Sequence, residues 1–377
     1  MQSLTVKTSH EMLDKMMIFL KGEPLIGLIA GSLLYLMVWL FKHSAHLPWM
    51  LSMFLISAGT LIFLSASLQL SPPYGRFKIP GYTLLLALSI LFGTQVFFVF
   101  TAGVGQHIGV IEIIQLLIAQ FIFLSFYAGF AKVQSFNVSY QTLFIQTHFL
   151  RALLGAAMVQ VILVMVLAEF TAGLFAYLNI PIIFYMVNSW LFWCLIPPIT
   201  FGLMVKRLKQ TTLKHADVTK WFNHQFFYTL LLLITLTYLL LIPLSPRSLA
   251  QTSGFFIILS VLNIFLFNGI YQTGQTPLPF KRWQMMATYL LFILSAAYAL
   301  YILYLVGWHE PAKLWIPYDL LITYVMIICG YYIGYTLAIF AHHRGYLQGI
   351  KITNVVMALF IALAFNGIFW SHVLKLF

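Results

Sequence analysis

Eleven stretches of predominantly apolar residues follow one another along the chain, at approximately 25–41, 49–70, 80–103, 109–131, 150–179, 182–205, 225–244, 253–271, 284–307, 316–340 and 352–372. A helix that crosses a bilayer needs about 20 apolar residues, because the hydrocarbon core is roughly 30 Å thick and each helical residue rises about 1.5 Å. The run at 150–179 is long enough to tilt or to extend past the bilayer. Long apolar runs broken by Gly and Pro favour helices, and the short alternating strands of a lipid-facing barrel are absent from the pattern. The pattern predicts an all-α, polytopic transmembrane helix bundle of about eleven helices. Residues 1–24 read as a cytoplasmic amphipathic segment and residues 25–377 as a single integral membrane domain. No small-residue cleavage site follows the first apolar run, so the first helix is expected to stay. The longest polar connections are 132–149 and 206–224.

Composition agrees with that class and excludes a water-soluble domain. Charged residues make up 7% of the chain and hydrophobic residues 62%, against roughly 25% charged in soluble domains. The few charges are also sorted by side. When successive loops are assigned alternately to two sides, only four of the 20 Lys and Arg residues, Lys42, Arg247, Lys313 and Lys375, fall on one of them. Basic loops resist translocation, so the N-terminus is expected inside and the C-terminus outside. The net charge of +12 then reads as polybasic loops facing anionic lipid. The densest patch, 206–220 from Lys206 to Lys220, faces the inner leaflet. A folded basic surface for nucleic acid is not expected.

Several residues suggest how the helices pack. Gly27-x-x-x-Gly31 and Gly330-x-x-x-Gly334 permit close backbone approach. Pro197-Pro198 predicts a kink or break in the sixth helix. Trp49, Trp283, Trp308, Trp315 and Trp370 fall at predicted helix ends, where amphipathic rings prefer the headgroup level. Trp190 and Trp193 lie inside the sixth run and are expected to face other helices.

Ionisable residues at membrane depth are costly, so each is a functional candidate. Glu169 lies deep in the fifth run. Gly155, Ala172, Gly173 and Ala176 share roughly one helical face with it, and a small-residue face is expected to pack, turning Glu169 into the bundle. Glu112 opens the fourth helix, where an acid also stabilises the helix dipole. With His107 on the same side, these residues predict an outward-facing polar pocket of His107, Glu112 and Glu169, joined by Gln115 and Asn188. A proton switch in a transporter and a hydrogen-bonded staple in a structural protein are both compatible with it. No metal site is expected, since His342 and His343 are adjacent and His43 and His46 have no acidic partner nearby. Facing histidines for haem are also missing, so no cofactor is expected. No nucleotide-binding glycine loop, zinc motif or nucleophilic triad is present.

The C-terminal 230 or so residues carry a more specific pattern. His148-Phe149-Leu150-Arg151 opens a helix. Asn268-Gly269-Ile270-Tyr271-Gln272-Thr273-Gly274 leads to Pro279-Phe280-Lys281-Arg282-Trp283. Gly307-Trp308 follows, then Gly330-Tyr331-Tyr332-Ile333-Gly334-Tyr335 and Asn354. In order and spacing this resembles the domain-of-unknown-function family 4153 of bacterial multi-pass inner-membrane proteins, mainly over residues 148–360. The segment Val306-Gly307-Trp308-His309-Glu310 departs from that family's Tyr-Gly-Leu/Trp-Thr element. The resemblance implies an inner-membrane location and no particular reaction. Two function classes remain: a transporter-like or channel-like protein for a small solute, ion or lipid, and a non-catalytic assembly or structural factor acting through helix contacts. A membrane-embedded enzyme is a poorer third.

The charge split generates a direct test. Topology reporters fused after Phe377 and after Lys220 are expected to report opposite sides of the membrane. The same side for both would refute the helix count.

Overall fold

A computed structural model describes residues 21–43, 47–100, 109–177, 182–210, 224–244, 249–270, 280–308 and 318–374. Twelve α-helices and no strand are found among these residues. They are α1 Glu23–Lys42, α2 Leu47–Leu70, α3 Lys78–Phe100, α4 Val110–Val133, α5 Tyr140–Tyr177 and α6 Ile182–Val187, then α7 Trp190–Gln210, α8 His224–Leu241, α9 Leu249–Ile270, α10 Arg282–Trp308, α11 Tyr318–Phe340 and α12 His342–Leu374. Ten helices are long and apolar enough to cross a membrane, and α8 contributes a shorter apolar helix, Phe227–Leu241. The chain is an all-α, multi-pass membrane protein.

Three boundaries differ from the pattern, each for a local reason. Helix α5 begins at Tyr140, inside the expected loop, because the Ser139 hydroxyl accepts the Thr142 N–H at 3.3 Å and caps the helix. The sixth run is divided at Asn188-Ser189. The Asn188 amide donates to the Phe184 carbonyl at 3.0 Å, closing α6, and the Ser189 hydroxyl accepts the Phe192 N–H at 3.3 Å, opening α7. Helix α12 starts at His342, so the polar stretch before the last apolar run is helical too.

Contacts divide the described residues into two compact units, one within 1–138, 145–215 and 370–377, the other within 139–144 and 216–369. In the first unit, α1 packs on α7 through glycines. A Cβ on Gly27 would collide with the Pro198 carbonyl, one on Gly31 would stand 2.7 Å from the Cys194 carbonyl oxygen, and one on Gly202 would stand 2.6 Å from the Glu23 carbonyl oxygen. Helix α7 runs unbroken through Pro197 and Pro198. Proline has no N–H, so Pro198 leaves the Cys194 carbonyl without its helical donor. That carbonyl is the one Gly31 meets, where a Cα–H can approach it closely. The expected helix break is therefore a packing device.

The ends of these helices meet in the order that alternate crossing requires. Lys209 Nζ lies 3.1 Å from Glu23 and also donates to the Gln69 carbonyl, and Lys206 Nζ donates to the Lys21 carbonyl at 3.0 Å. The start of α1 and the ends of α2 and α7 are so tied together at one end. At the other end the Lys42 ammonium sits 4.9 Å over the Trp190 ring. Trp190 and Trp193 do not face other helices as expected. Both are exposed, and the break at Asn188-Ser189 makes Trp190 the first residue of α7. Trp49 and Trp283 stand exposed near helix starts and Trp308 ends α10. Trp370, near the end of α12, packs edge-on against Phe98 at 5.6 Å. Trp315 lies outside the described residues.

The second unit packs α8 to α12 around Tyr228, Phe256, Phe267, Phe292, Tyr332 and Tyr335. Helices α11 and α12 approach through glycine: a Cβ on Gly330 would meet Met357 and one on Gly334 would meet Thr353. These contacts separate two kinds of glycine. Gly31→Leu is expected to destabilise the protein by about 1–3 kcal/mol through overpacking. Gly155→Ala, where a Cβ meets nothing within 4 Å, is expected to be neutral or to stabilise by up to about 1 kcal/mol. Thermal unfolding in detergent checks the pair, and equal effects would disprove the close α1–α7 contact.

Candidate functional site

The outer pocket expected from the sequence is not assembled among the described residues. Glu112 lies in the first turn of α4 and its carboxylate folds back over Gly109 at the helix start, as the helix dipole favours. Gln115 is buried one turn further on. Glu169 is on the exposed face of α5, with no hydrogen bond or ion pair among the described residues. Asn188 is exposed and occupied in closing α6. His107 lies outside the described residues. The small-residue face fails to turn Glu169 inward because larger side chains set the buried face of α5: Leu150, Leu153, Ala157, Met165 and Ala172 are buried, whereas a Cβ on Gly155 or Gly173 would meet nothing within 4 Å. A buried polar contact between helices of this unit joins α3 and α4, where the buried Gln120 amide donates to the buried Gln95.

The larger polar assembly lies in the second unit, and its members are uncharged. At the end where Lys281 precedes α10, three side chains form a closed hydrogen-bond ring. Tyr335 Oη donates to Asn354 Oδ1 at 2.7 Å, Asn354 Nδ2 donates to Asn268 Oδ1 at 2.7 Å, and Asn268 Nδ2 donates to Tyr335 Oη at 3.0 Å. The remaining amide protons go to Tyr140 Oη at 2.9 Å and the Ile264 carbonyl at 2.9 Å. Helices α9, α11 and α12 and the first residue of α5 are thus joined. Beside the ring, Tyr228 Oη donates to Thr288 at 3.1 Å and Gln284 Nε2 to Thr229 at 2.9 Å.

Polar groups continue toward the opposite end of the unit. Midway, Asn263 Nδ2 donates to Thr235 Oγ1 at 2.6 Å, and Tyr332 Oη donates to the Ser260 carbonyl at 3.4 Å. At the far end, Tyr298 Oη donates to Thr252 Oγ1 at 2.9 Å and Tyr238 Oη to the Thr252 carbonyl at 2.8 Å. From Thr252 to Asn268 is about 24 Å along α9 at roughly 1.5 Å per residue. The column therefore spans most of a bilayer core. Aromatic and aliphatic side chains of the same core fill the space between its members.

Helical spacing builds this column. On α9 the inward positions are Ser253, Phe256, Ser260, Asn263 and Phe267, all buried. On α10 they include Gln284, Thr288, Leu291, Ser295 and Ala299, again all buried. Both stripes step by three or four residues, which keeps one helical face toward the core. The residues that carry the expected resemblance to family 4153 distribute unevenly over the structure. Asn268 and Asn354 form the ring, and Gly330 and Gly334 seat α11 against α12. His148 and Arg151 contact each other at 3.3 Å, Arg282 and Trp283 open α10 on its exposed side, and Gly307 and Trp308 close it. Tyr271 and Gly274 lie outside the described residues. A search for charged intramembrane groups overlooks the column. The pattern Gln284, Thr288, Ser295 at helical spacing was the signal available for it. Among the described residues no three His, Cys, Asp or Glu side chains gather as a metal site.

The ring predicts energetic coupling. Asn268→Leu and Asn354→Leu are each expected to destabilise the protein by leaving partners unpaired, at about 1–3 kcal/mol per orphaned group. The double variant is expected to fall short of the sum by about 0.6 kcal/mol, and at most about 1.7, as interhelical hydrogen bonds do in membranes. A double-mutant cycle on unfolding checks this, and strict additivity would rule the ring out. Searches against family models, curated proteins and solved structures find no match to this chain.

Proposed function

We propose that the chain is a transporter-like protein of the cell inner membrane that handles a small, uncharged polar solute through its C-terminal unit. The observation that carries this reading is the interior polar column, buried at Thr252, Ser260 and Asn263 and half-buried at Asn268 and Asn354. Packing alone does not call for polar side chains at every level of a membrane core. A dissolved ion would need charged partners there, whereas amides and hydroxyls suit a neutral solute. The filled core favours an occluded transporter over an open channel. The basic connections support a cytoplasmic location of the Lys281 end. The resemblance to family 4153 supports the inner membrane, and anionic inner-leaflet lipid is the partner proposed for the basic segment from Lys206 to Lys220.

A second reading, an assembly factor acting through helix contacts, has one observation in its favour. The exposed face of α5 carries Gly155, Gly173 and Glu169, with open space at both glycines. A partner helix would find close approach and one hydrogen-bonding group there.

Reconstitution distinguishes the two. In proteoliposomes the full chain is expected to accelerate the re-swelling of vesicles shrunk in glycerol or acetamide, and to leave sucrose and potassium permeability unchanged. Rates equal to those of protein-free vesicles for both probes would sink the transport reading, and Glu169→Gln is expected to leave them unaltered.

A further inference from the structure

Several hydroxyls within these helices are occupied by their own backbone. Ser89 donates to the Leu85 carbonyl at 2.7 Å, Thr235 to Leu231 at 2.8 Å and Thr288 to Gln284 at 2.8 Å, each four residues back. Two serines in the middle of the polar column do not follow this habit. Ser260 Oγ on α9 and Ser295 Oγ on α10 are fully buried, and among the described residues the Tyr332 hydroxyl is the neighbour within reach of both, with neither oxygen making a well-formed hydrogen bond. Asn263 Oδ1, one helical turn along α9 from Ser260, is buried without a partner, although its amide protons bond to Thr235 and the Leu259 carbonyl. The Tyr332 hydroxyl from α11 reaches the Ser260 carbonyl at this level and lies beside Ser295. The two ends of the column differ: the Asn268–Asn354–Tyr335 ring is closed upon itself, and Thr252 is bonded by two tyrosines.

Within this unit, unused capacity thus lies midway between two satisfied ends, on side chains of two helices around a tyrosine of a third. The set offers two hydroxyl protons and an amide oxygen as acceptor. None of Ser260, Asn263, Ser295 and Tyr332 carries a charge, so these four side chains suit a neutral guest better than a bare cation, which is costly in this medium. Resting on the transport reading above, we infer that Ser260, Asn263, Ser295 and Tyr332 form the solute-binding subsite, and that the solute is a small neutral molecule bearing both a hydrogen-bond donor and an acceptor, of the hydroxyl or amide class. Its donor meets Asn263 Oδ1 and its acceptor meets the serine hydroxyls. The closed amide ring on one side and the Tyr298–Thr252–Tyr238 group on the other bound the subsite along the column.

Two readouts on the full chain test this. In a Cys194→Ala/Cys329→Ala background, Ser295→Cys is treated with methyl methanethiosulfonate, a small neutral thiol reagent, with and without saturating acetamide or glycerol. Labelling is expected to slow about tenfold with either probe, on the scale of one lost hydrogen bond. No labelling, or labelling indifferent to both probes, overturns the subsite. In proteoliposomes, Ser260→Ala/Ser295→Ala and Asn263→Leu are expected to lower acetamide and glycerol flux about tenfold. Wild-type flux in the first two variants also overturns the subsite. If a variant fails to fold, the labelling result decides alone. Protection of Ser295→Cys without any wild-type flux keeps the subsite and removes the transport reading. Wild-type flux without protection does the reverse.

Discussion

Water is missing where this chain spends most of its length, and there a polar group must be answered by another group of the protein. Helices satisfy this for the backbone. What remains are the exceptions: a carbonyl released by proline, and the polar side chains that the sequence places inside. The Cys194 carbonyl, left without a donor by Pro198, is met by Gly31. The Gln69 carbonyl at the end of α2 is met by Lys209. The amides of Asn268 and Asn354 are met by each other and by two tyrosines. The closest contacts of both units are answers to the same demand.

Length and hydropathy made the helices legible because a spanning element has to meet the bilayer thickness. Eight of the eleven apolar runs became one helix each with ends shifted by a few residues, and the last run became a helix that starts ten residues early, at His342. The other two had local causes that hydropathy does not register: Ser139 caps α5 ten residues before its apolar run, and Asn188-Ser189 interrupts the sixth. The glycine pairs were also readable, since Gly27, Gly31, Gly330 and Gly334 all have a neighbour where a Cβ would stand. The division into two units was not visible, because no change of composition marks it.

The site was harder to read, and Glu169 shows why. A stripe of small residues and a stripe of large ones can occupy neighbouring faces of one helix, and either can be the packed one. In α5 the large stripe of Leu150, Leu153 and Met165 won, since it buries more surface, and Glu169 stayed exposed. Charge drew attention to Glu169, whereas Gln284, Thr288 and Ser295 carry none and differ little from an ordinary helix in composition. Their meaning lies in spacing: steps of four and seven residues hold all three on one face. Asn268 and Asn354 were singled out by resemblance alone, and the ring gives them a physical role that residue counts could not supply.

Satisfied and unsatisfied polar groups have opposite consequences for motion. A closed ring such as Asn268–Asn354–Tyr335 fixes three helices, because moving any one of them breaks two hydrogen bonds with no water to replace them. Incompletely paired groups such as Ser260 Oγ, Asn263 Oδ1 and Ser295 Oγ do the reverse. They cost free energy in the arrangement seen, so any rearrangement or guest that pairs them is favoured by comparison. A rigid, basic-flanked end and an incompletely paired middle in one helical core is a distribution that a purely structural bundle gains nothing from. A structural bundle is best served by satisfying all its polar groups or by having none. The first unit also buries polar atoms without partners, among them Ser67 Oγ and Tyr127 Oη, so it is their arrangement in the second unit, three on facing helices at mid-depth between met ends, that supports solute handling.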